Sequence, residues 1–268
     1  FNVAIRTPVV HRPTGDAEYG VGGGIVWDSQ PAREAEECRT KTRVLLERRP
    51  AFDLLETLRW TPETGFDLEE QHLQRLANSA SYFAFAVDTD GVRRCLRVHA
   101  EAFPARPQRV RLCVSRKGAC RIEAVDLDET KGFDDLVPAL HPVDRGDLFL
   151  YHKTTHRALY EQARAARDTG GNKDVLLFNE RGDATESTIA NIAIPIDGIL
   201  ATPPVCDGLL PGTMRQHLLD TGRLVERTIP LRQILERGEV LLLNSLRGMQ
   251  SVPVRPAPSG AFPHPGEN

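Results

Sequence analysis

LFLYHKTTHRALYEQARAAR, residues 148–167, sets the reading of the whole chain. Residues 148–151 read as a short strand, and 158–167 as a helix that stops before Thr169-Gly170-Gly171. Lys153 therefore stands just after a strand, beside Thr154, Thr155 and His156. Working downstream, 174–179 reads as a buried-type strand and Arg181-Gly182-Asp183 as a turn. Residues 189–196, 199–202 and 239–244 read as further strands, and 214–221 and 231–236 as helices. Strands interleaved with helices predict an α/β unit over 121–252.

Upstream, residues 50–120 predict a smaller α+β unit. AFDLLETLRW (51–60) is strand-like, and Pro62-Glu63-Thr64-Gly65 is a turn. Residues 68–83 are amphipathic, with Leu68, Leu73, Leu76 and Ala80 on one side. Residues 94–103 continue as a helix, and 109–115 alternate as a strand. Residues 1–46 form a third piece: strands at 1–10 and 18–27 joined by a turn at Pro13-Thr14-Gly15-Asp16, then a helix over 31–48. Asp28 or Ser29 would cap that helix, and Pro31 fits its first turn. A hairpin and one helix cannot bury their own apolar faces, so this piece needs a partner surface. The chain opens on Phe1 with a strand already in progress, and its N-terminus reads as cut from a longer polypeptide. The proline-rich tail, 253–268, is expected to be disordered. No internal repeat is present.

Composition narrows the function. The chain has 268 residues, of which 40% are hydrophobic and 26% charged, with a formal net charge of -3. There is no basic stripe for nucleic acid, and 6% aromatics is thin for a base-stacking platform. No apolar run approaches the ~20 residues of a membrane span, and no signal peptide is visible, so a cytoplasmic protein is expected. The five cysteines, at 38, 95, 113, 120 and 206, include no CxxC pair and read as reduced thiols.

Six segments in order carry a resemblance: LLETLRW (54–60), HLQRL (72–76), HKTTHR (152–157), ATESTIANI (184–192), LLPGTMR (209–215) and NSLRG (244–248). Together they resemble the class IV aminotransferases, the fold-type IV pyridoxal-phosphate (PLP) enzymes, over about 200 residues. The resemblance implies a small α+β subdomain followed by a larger α/β subdomain, and commonly a homodimer. It implies Lys153 as the Schiff-base residue, although any single lysine is more often a surface group. Glu186, 33 positions later, matches the glutamate that faces the pyridine nitrogen, with Asn191 beside it; alone it would read as a turn or cap acid. Arg75 matches the phosphate arginine, where an isolated helix arginine would be solvated. Thr213 and Met214, before a predicted helix, and Ser245 are the remaining phosphate candidates. The family often has Ile-Thr where this chain has Thr213-Met214, so which donor contacts phosphate stays open.

NSLRG resembles the aminodeoxychorismate lyases of that family more than its branched-chain or D-amino acid aminotransferases. Arg247 would suit a carboxylate of the dicarboxylate 4-amino-4-deoxychorismate, or would be an ordinary loop arginine. The lyase resemblance implies Lys153 as general base at the substrate's C4, with pyruvate and 4-aminobenzoate as products. Thr155 and His156 are proton-transfer helpers or structural residues.

AIRT (4–7), GVGGGIVWDS (20–29) and EAEEC (34–38) resemble the C-terminal end of chorismate-utilising enzymes such as aminodeoxychorismate synthase component I. By that resemblance Arg6 binds a ring carboxylate and Gly22, Gly23 and Gly24 approach it through backbone N–H groups, though GGG also reads as a plain hairpin turn. Glu34 and Glu37 share a helix face and would hold Mg²⁺ in a complete synthase, or form a solvated acidic face. The two resemblances together imply a piece of a synthase–lyase fusion of 4-aminobenzoate and folate synthesis. A glutamine amidotransferase would partner the full fusion, and no synthase activity is expected of this chain alone.

Overall fold

The computed structural model describes residues 7–46, 50–128, 132, 134–167 and 172–255. The chain separates into two units, 1–51 and 52–268.

In the first unit, β1 (Pro8–Val10) and β2 (Ala17–Tyr19) pair antiparallel, with Val9 opposite Glu18. Helix α1 (Pro31–Leu46) follows. The strand expected over 18–27 ends at Tyr19. Gly20 and Gly22–Gly24 interrupt it, and Ser29 closes a turn, taking the Val26 N–H on its hydroxyl at 3.0 Å. Val9, Val10, Ile25, Val26 and Trp27 are all exposed, in keeping with a piece that cannot cover its own apolar side chains.

The second unit opens with a four-stranded antiparallel sheet ordered β4-β3-β5-β6: β3 (Leu54–Thr61), β4 (Gly65–Phe66), β5 (Gln108–Val114) and β6 (Cys120–Asp126). Helices α2 (Glu69–Phe83) and α3 (Thr89–Ala100) cover one face. Leu73, Leu76, Ala80 and Phe83 recur at helical spacing and pack on Leu54, Leu58, Val110 and Leu112 of the sheet. The helix expected over 94–103 starts earlier, because the Asp88 side chain accepts the Asp90 N–H and caps it. Strand β6 was not foreseen, and it carries the first sheet across the 120/121 boundary expected from the sequence.

A mixed sheet of nine strands among the described residues forms the rest. Its spine runs β12 (Val225–Glu226), β11 (Ile199–Thr202), β10 (Asn191–Ile196), β9 (Asp183–Ser187), β8 (Lys173–Phe178) and β7 (Asp135–Pro138). β13 (Ile229–Pro230) pairs with β9, and the hairpin β14 (Glu239–Asn244) and β15 (Gly248–Pro253) joins at β10. Helices α4 (Ala158–Ala166), α5 (Thr213–Asp220) and α6 (Leu231–Arg237) flank it. Leu136, Leu176, Ile192, Ile194 and Val252 are fully buried at its centre.

Residues 148–150 are a 3₁₀ turn rather than a strand. Asp147 causes this: its carboxylate accepts the Phe149 N–H at 2.8 Å and its carbonyl the Leu150 N–H. Pro253–Arg255, expected in a disordered tail, are tied down instead. Val254 is buried, and the Arg255 N–H donates to Leu136 O at 2.8 Å. Residues 256–268 lie outside those described.

Candidate active site

Strand β3 fixes the position of the lysine junction. The Leu55 N–H donates to Lys153 O at 2.9 Å, and the Thr155 N–H donates to Asp53 O at 2.9 Å. Thr155 Oγ1 in turn accepts the Asp53 N–H at 2.9 Å, so Thr155 serves the backbone. His156 packs on Phe149, and its N–H donates to Thr154 Oγ1. Neither Thr155 nor His156 lines the cavity beside them.

That cavity, about 460 Å³, collects residues from both sheets. Lys153, Arg75, Glu186 and Asn191 all line it, as do Thr213, Met214, Ser245 and Arg247. Burial and two nearby guanidinium groups, Arg75 and Arg157, push the Lys153 ammonium down to about 8. Glu186 is 3% exposed, and burial lifts its carboxyl to about 8 against the pull of Tyr160, Lys153 and Arg157.

Glu186 sits on β9, opposite Asn191 of β10. Asn191 Nδ2 donates to Glu186 Oε2 at 3.2 Å and to Leu210 O at 2.8 Å. Tyr160 Oη donates to Glu186 Oε1 at 2.8 Å, and the Arg157 guanidinium lies 4.6 Å over the Tyr160 ring. Both oxygens of the Glu186 carboxyl are thus held by donors of the chain itself.

A second buried carboxylate works at the other end. Glu56 on β3 accepts Arg75 Nε on Oε1 at 2.9 Å and Arg75 Nη2 on Oε2 at 2.5 Å. Burial alone would raise Glu56, but Arg75 and His72 hold it at about 2. His72 Nδ1 lies 2.6 Å from Glu56 Oε2, and His72 Nε2 lies 3.3 Å from Thr213 Oγ1 at the start of α5. Gly212, just ahead of α5, approaches Asn191 so closely that a Cβ there would lie 1.9 Å from Asn191 Oδ1.

Sequence reasoning missed Glu56, His72, Tyr160, Arg109 and Arg111. Glu56 and His72 stood inside the quoted segments LLETLRW and HLQRL, so the signal was present but unread. Arg109 and Arg111 alternate on β5 with buried Val110, the period that sends both to one face of the sheet. Arg75, Arg109, Arg111, Lys153, Arg157 and Arg247 give the cavity six cationic side chains, against acidic Glu161 and Glu186.

In the first unit, Gly23 lies against Glu34, where a Cβ would meet Glu34 Oε2 at 2.9 Å. Glu34 accepts from Ser29 Oγ at 2.8 Å, and Glu37 pairs with Lys41, which donates to Gly22 O. Among the described residues no group of three metal-ligating side chains forms. Gly22 and Gly24 are exposed, and Arg6 lies outside the described residues. No helix among the described residues is long and apolar enough to cross a membrane.

Comparison with known proteins agrees with this architecture. A relative in Schizosaccharomyces pombe, assigned as an aminodeoxychorismate lyase, is 45% identical over 101 residues, 36% of this chain and 44% of that protein. The chain therefore spans less than half the length of that relative. The aminodeoxychorismate lyase of Saccharomyces cerevisiae is 25% identical over 296 aligned positions, 86% of this chain and 76% of that protein. The crystal structure of a Mesorhizobium loti protein assigned as an amino-acid aminotransferase superposes with a TM-score of 0.66 at 34% identity, covering 77% of this chain and all of that one. Residues 1–47 match the chorismate binding enzyme family. Residues 53–254 match the amino-transferase class IV family, and to that family the chain belongs.

Proposed function

We propose that this chain is a PLP-dependent lyase that converts 4-amino-4-deoxychorismate to 4-aminobenzoate and pyruvate. The observation that carries the reading is one cavity with half-buried Lys153, buried Glu186 and a strongly cationic lining. Lyase names among the relatives support it over transamination.

The residues present fit the cofactor. A partly desolvated amine, Lys153 Nζ, suits its aldehyde, and a buried acid, Glu186, suits its ring nitrogen. Arg75, the first turn of α5 at Thr213 and Met214, and Ser245 suit its phosphate. Gly212 lets Asn191 pack against the backbone just ahead of α5, where a side chain would collide with its Oδ1. PLP bound in this way supplies an electron sink for the substrate carbon that carries the amine.

Lys153 has two tasks. Its Nζ would hold the cofactor and, once the substrate amine has taken its place, would be the free amine that takes the proton from C4 of the substrate, its affinity for protons lowered by desolvation. Glu186 keeps a proton at the ring nitrogen, steadied by Tyr160 and Asn191. Arg109, Arg111 and Arg247 offer guanidinium groups to the two carboxylates of the substrate. Loss of the enolpyruvyl group leaves an aromatic product, and this elimination needs no amino acceptor.

The chorismate-binding match of residues 1–47 supports a place in a polypeptide that carries synthase and lyase steps in succession. In that reading the product feeds folate synthesis in the cytoplasm, the enzyme is a homodimer, and a glutamine amidotransferase serves the synthase. Mg²⁺ at Glu34 and Glu37 belongs to the complete synthase, and this chain alone forms no aminodeoxychorismate.

The test is acceptor-free release of 4-aminobenzoate from 4-amino-4-deoxychorismate by the PLP-loaded protein, followed by fluorescence. Lys153→Ala abolishes it. The 34% identity to the aminotransferase-assigned structure favours a second reading, a class IV aminotransferase. Amino transfer from branched-chain or D-amino acids to 2-oxoglutarate, without 4-aminobenzoate release, would establish that one instead.

A further inference from the structure

We propose that Glu56 is the positioning residue for the phosphate end of the cavity, setting Arg75 and the start of α5 at once through two separate hydrogen-bonded arms. The inference rests on the PLP reading of the site.

The first arm is the guanidinium. Arginine has five N–H donors in a fixed plane. Arg75 spends Nε–H and one Nη2–H on Glu56 and one Nη1–H on Pro211 O at 3.1 Å. Two N–H bonds remain, one on each terminal nitrogen. Both can donate to oxygens of a phosphate. Glu56 grips the guanidinium along its side and so fixes which edge is presented. Arg75 is only 9% exposed and Glu56 2%, so neither can swing to an alternative partner without stranding a buried charge.

The second arm passes through His72, which is 1% exposed. Burial keeps the imidazole pKa below its ordinary value in spite of the neighbouring carboxylate, so the neutral ring prevails at pH 7. The ring donates Nδ1–H to Glu56 Oε2, which leaves Nε2 as an acceptor. The Thr213 hydroxyl, 3.3 Å away, donates to it. That occupies the only O–H of Thr213. Its share in holding phosphate is then the backbone N–H, with that of Met214, at the unpaired end of α5.

Neither Glu56 nor His72 lines the cavity. At the phosphate end their hydrogen-bonded effect passes through Arg75 and Thr213, both of which do, while the Glu56 charge also reaches Lys153. Outer partners of this kind typically carry about ten- to a hundredfold in affinity at metal sites, and a comparable effect is expected here.

The test compares three probes on cofactor-free protein: PLP, pyridoxal, which lacks the phosphate, and inorganic phosphate. Affinities are read by calorimetry for phosphate and by the visible band of the lysine-bound ring for the other two. Glu56→Gln is expected to weaken PLP and inorganic phosphate at least tenfold while leaving pyridoxal within about twofold. Unchanged phosphate affinity overturns the proposal. An equal loss for pyridoxal also overturns it, since a residue serving only the fold would harm all three probes alike. Should Glu56→Gln not fold, His72→Gln decides by the same comparison: the same selective loss supports the proposal, and its absence overturns it. Wild-type protein that binds none of the probes would overturn the PLP reading itself.

Discussion

Tyr160 Oη donates a 2.8 Å hydrogen bond to Glu186 Oε1, and both side chains are buried. Tyr160→Phe keeps the packing and removes the donor. The oxygen left behind is desolvated and one partner short, a penalty of about 1–3 kcal/mol. Urea unfolding of cofactor-free protein should register a loss of that size, and the Glu186 carboxyl should move further above its wild-type value of about 8.

Glu186 also sets a pH dependence. Its carboxyl titrates near 8 in the folded state against an ordinary 4.5. Between those values the folded chain holds a proton that the unfolded chain has lost. Its contribution is complete below pH 4.5 and is lost as pH rises towards 8. Glu186→Gln removes this titration. Between pH 5 and 8 the melting temperature of the cofactor-free variant should fall less than that of wild type. Parallel curves for the two proteins would refute the assignment.

Gly212→Ala tests the narrow approach at the mouth of α5. Its methyl would meet Asn191 Oδ1 at 1.9 Å, so Asn191 must move and loosen its hold on Glu186. The variant is expected to fold and to bind PLP at least about tenfold more weakly, a cost of roughly 1.4 kcal/mol or more. Equilibrium titration of apoprotein with PLP measures it.

Arg247 follows β14, on a turn where Asn244 Oδ1 accepts the N–H groups of Leu246 and Arg247 at 3.1 and 2.9 Å. If it takes a substrate carboxylate, Arg247→Ala forfeits a charged hydrogen bond worth about 1.5–3 kcal/mol. kcat/KM for 4-amino-4-deoxychorismate should drop about tenfold or more, and PLP affinity should hold. Arg111→Ala should behave likewise, since Arg111 faces the same cavity from β5.

Much of this could be read from the chain, for reasons visible in single elements. Helix α2 announces itself because Leu73, Leu76 and Ala80 repeat at the helical period, and the structure buries all three. Lys153 and Glu186 were singled out by the family resemblance of the quoted segments, and both line one cavity. What escaped was non-local or polar. Residues 148–150 look apolar enough for a strand, yet a single cap, Asp147, bends them into a turn. Strand β6 is half exposed and carries Arg121 and Glu123, so its apolar signal is diluted. Glu56 looked like any polar residue in a strand. Only the packing of α2 onto β3 brings Arg75 and His72 to it, and the segments that hold the three residues do not show that they meet.

The backbone bonds between residues 53–55 and 153–155 have a final consequence. One strand, β3, gauges both ends of the cavity: Leu55 is bonded to the lysine's own peptide, and the next residue, Glu56, grips the arginine. The span from lysine to arginine is therefore measured along two consecutive residues of a single ruler. A one-residue insertion after Leu55 would turn Glu56 to the opposite face while leaving Lys153 in place. Length variation among relatives of this chain should be tolerated in the loops and forbidden within these few positions, because there a change in count is a change in the distance between two chemical grips.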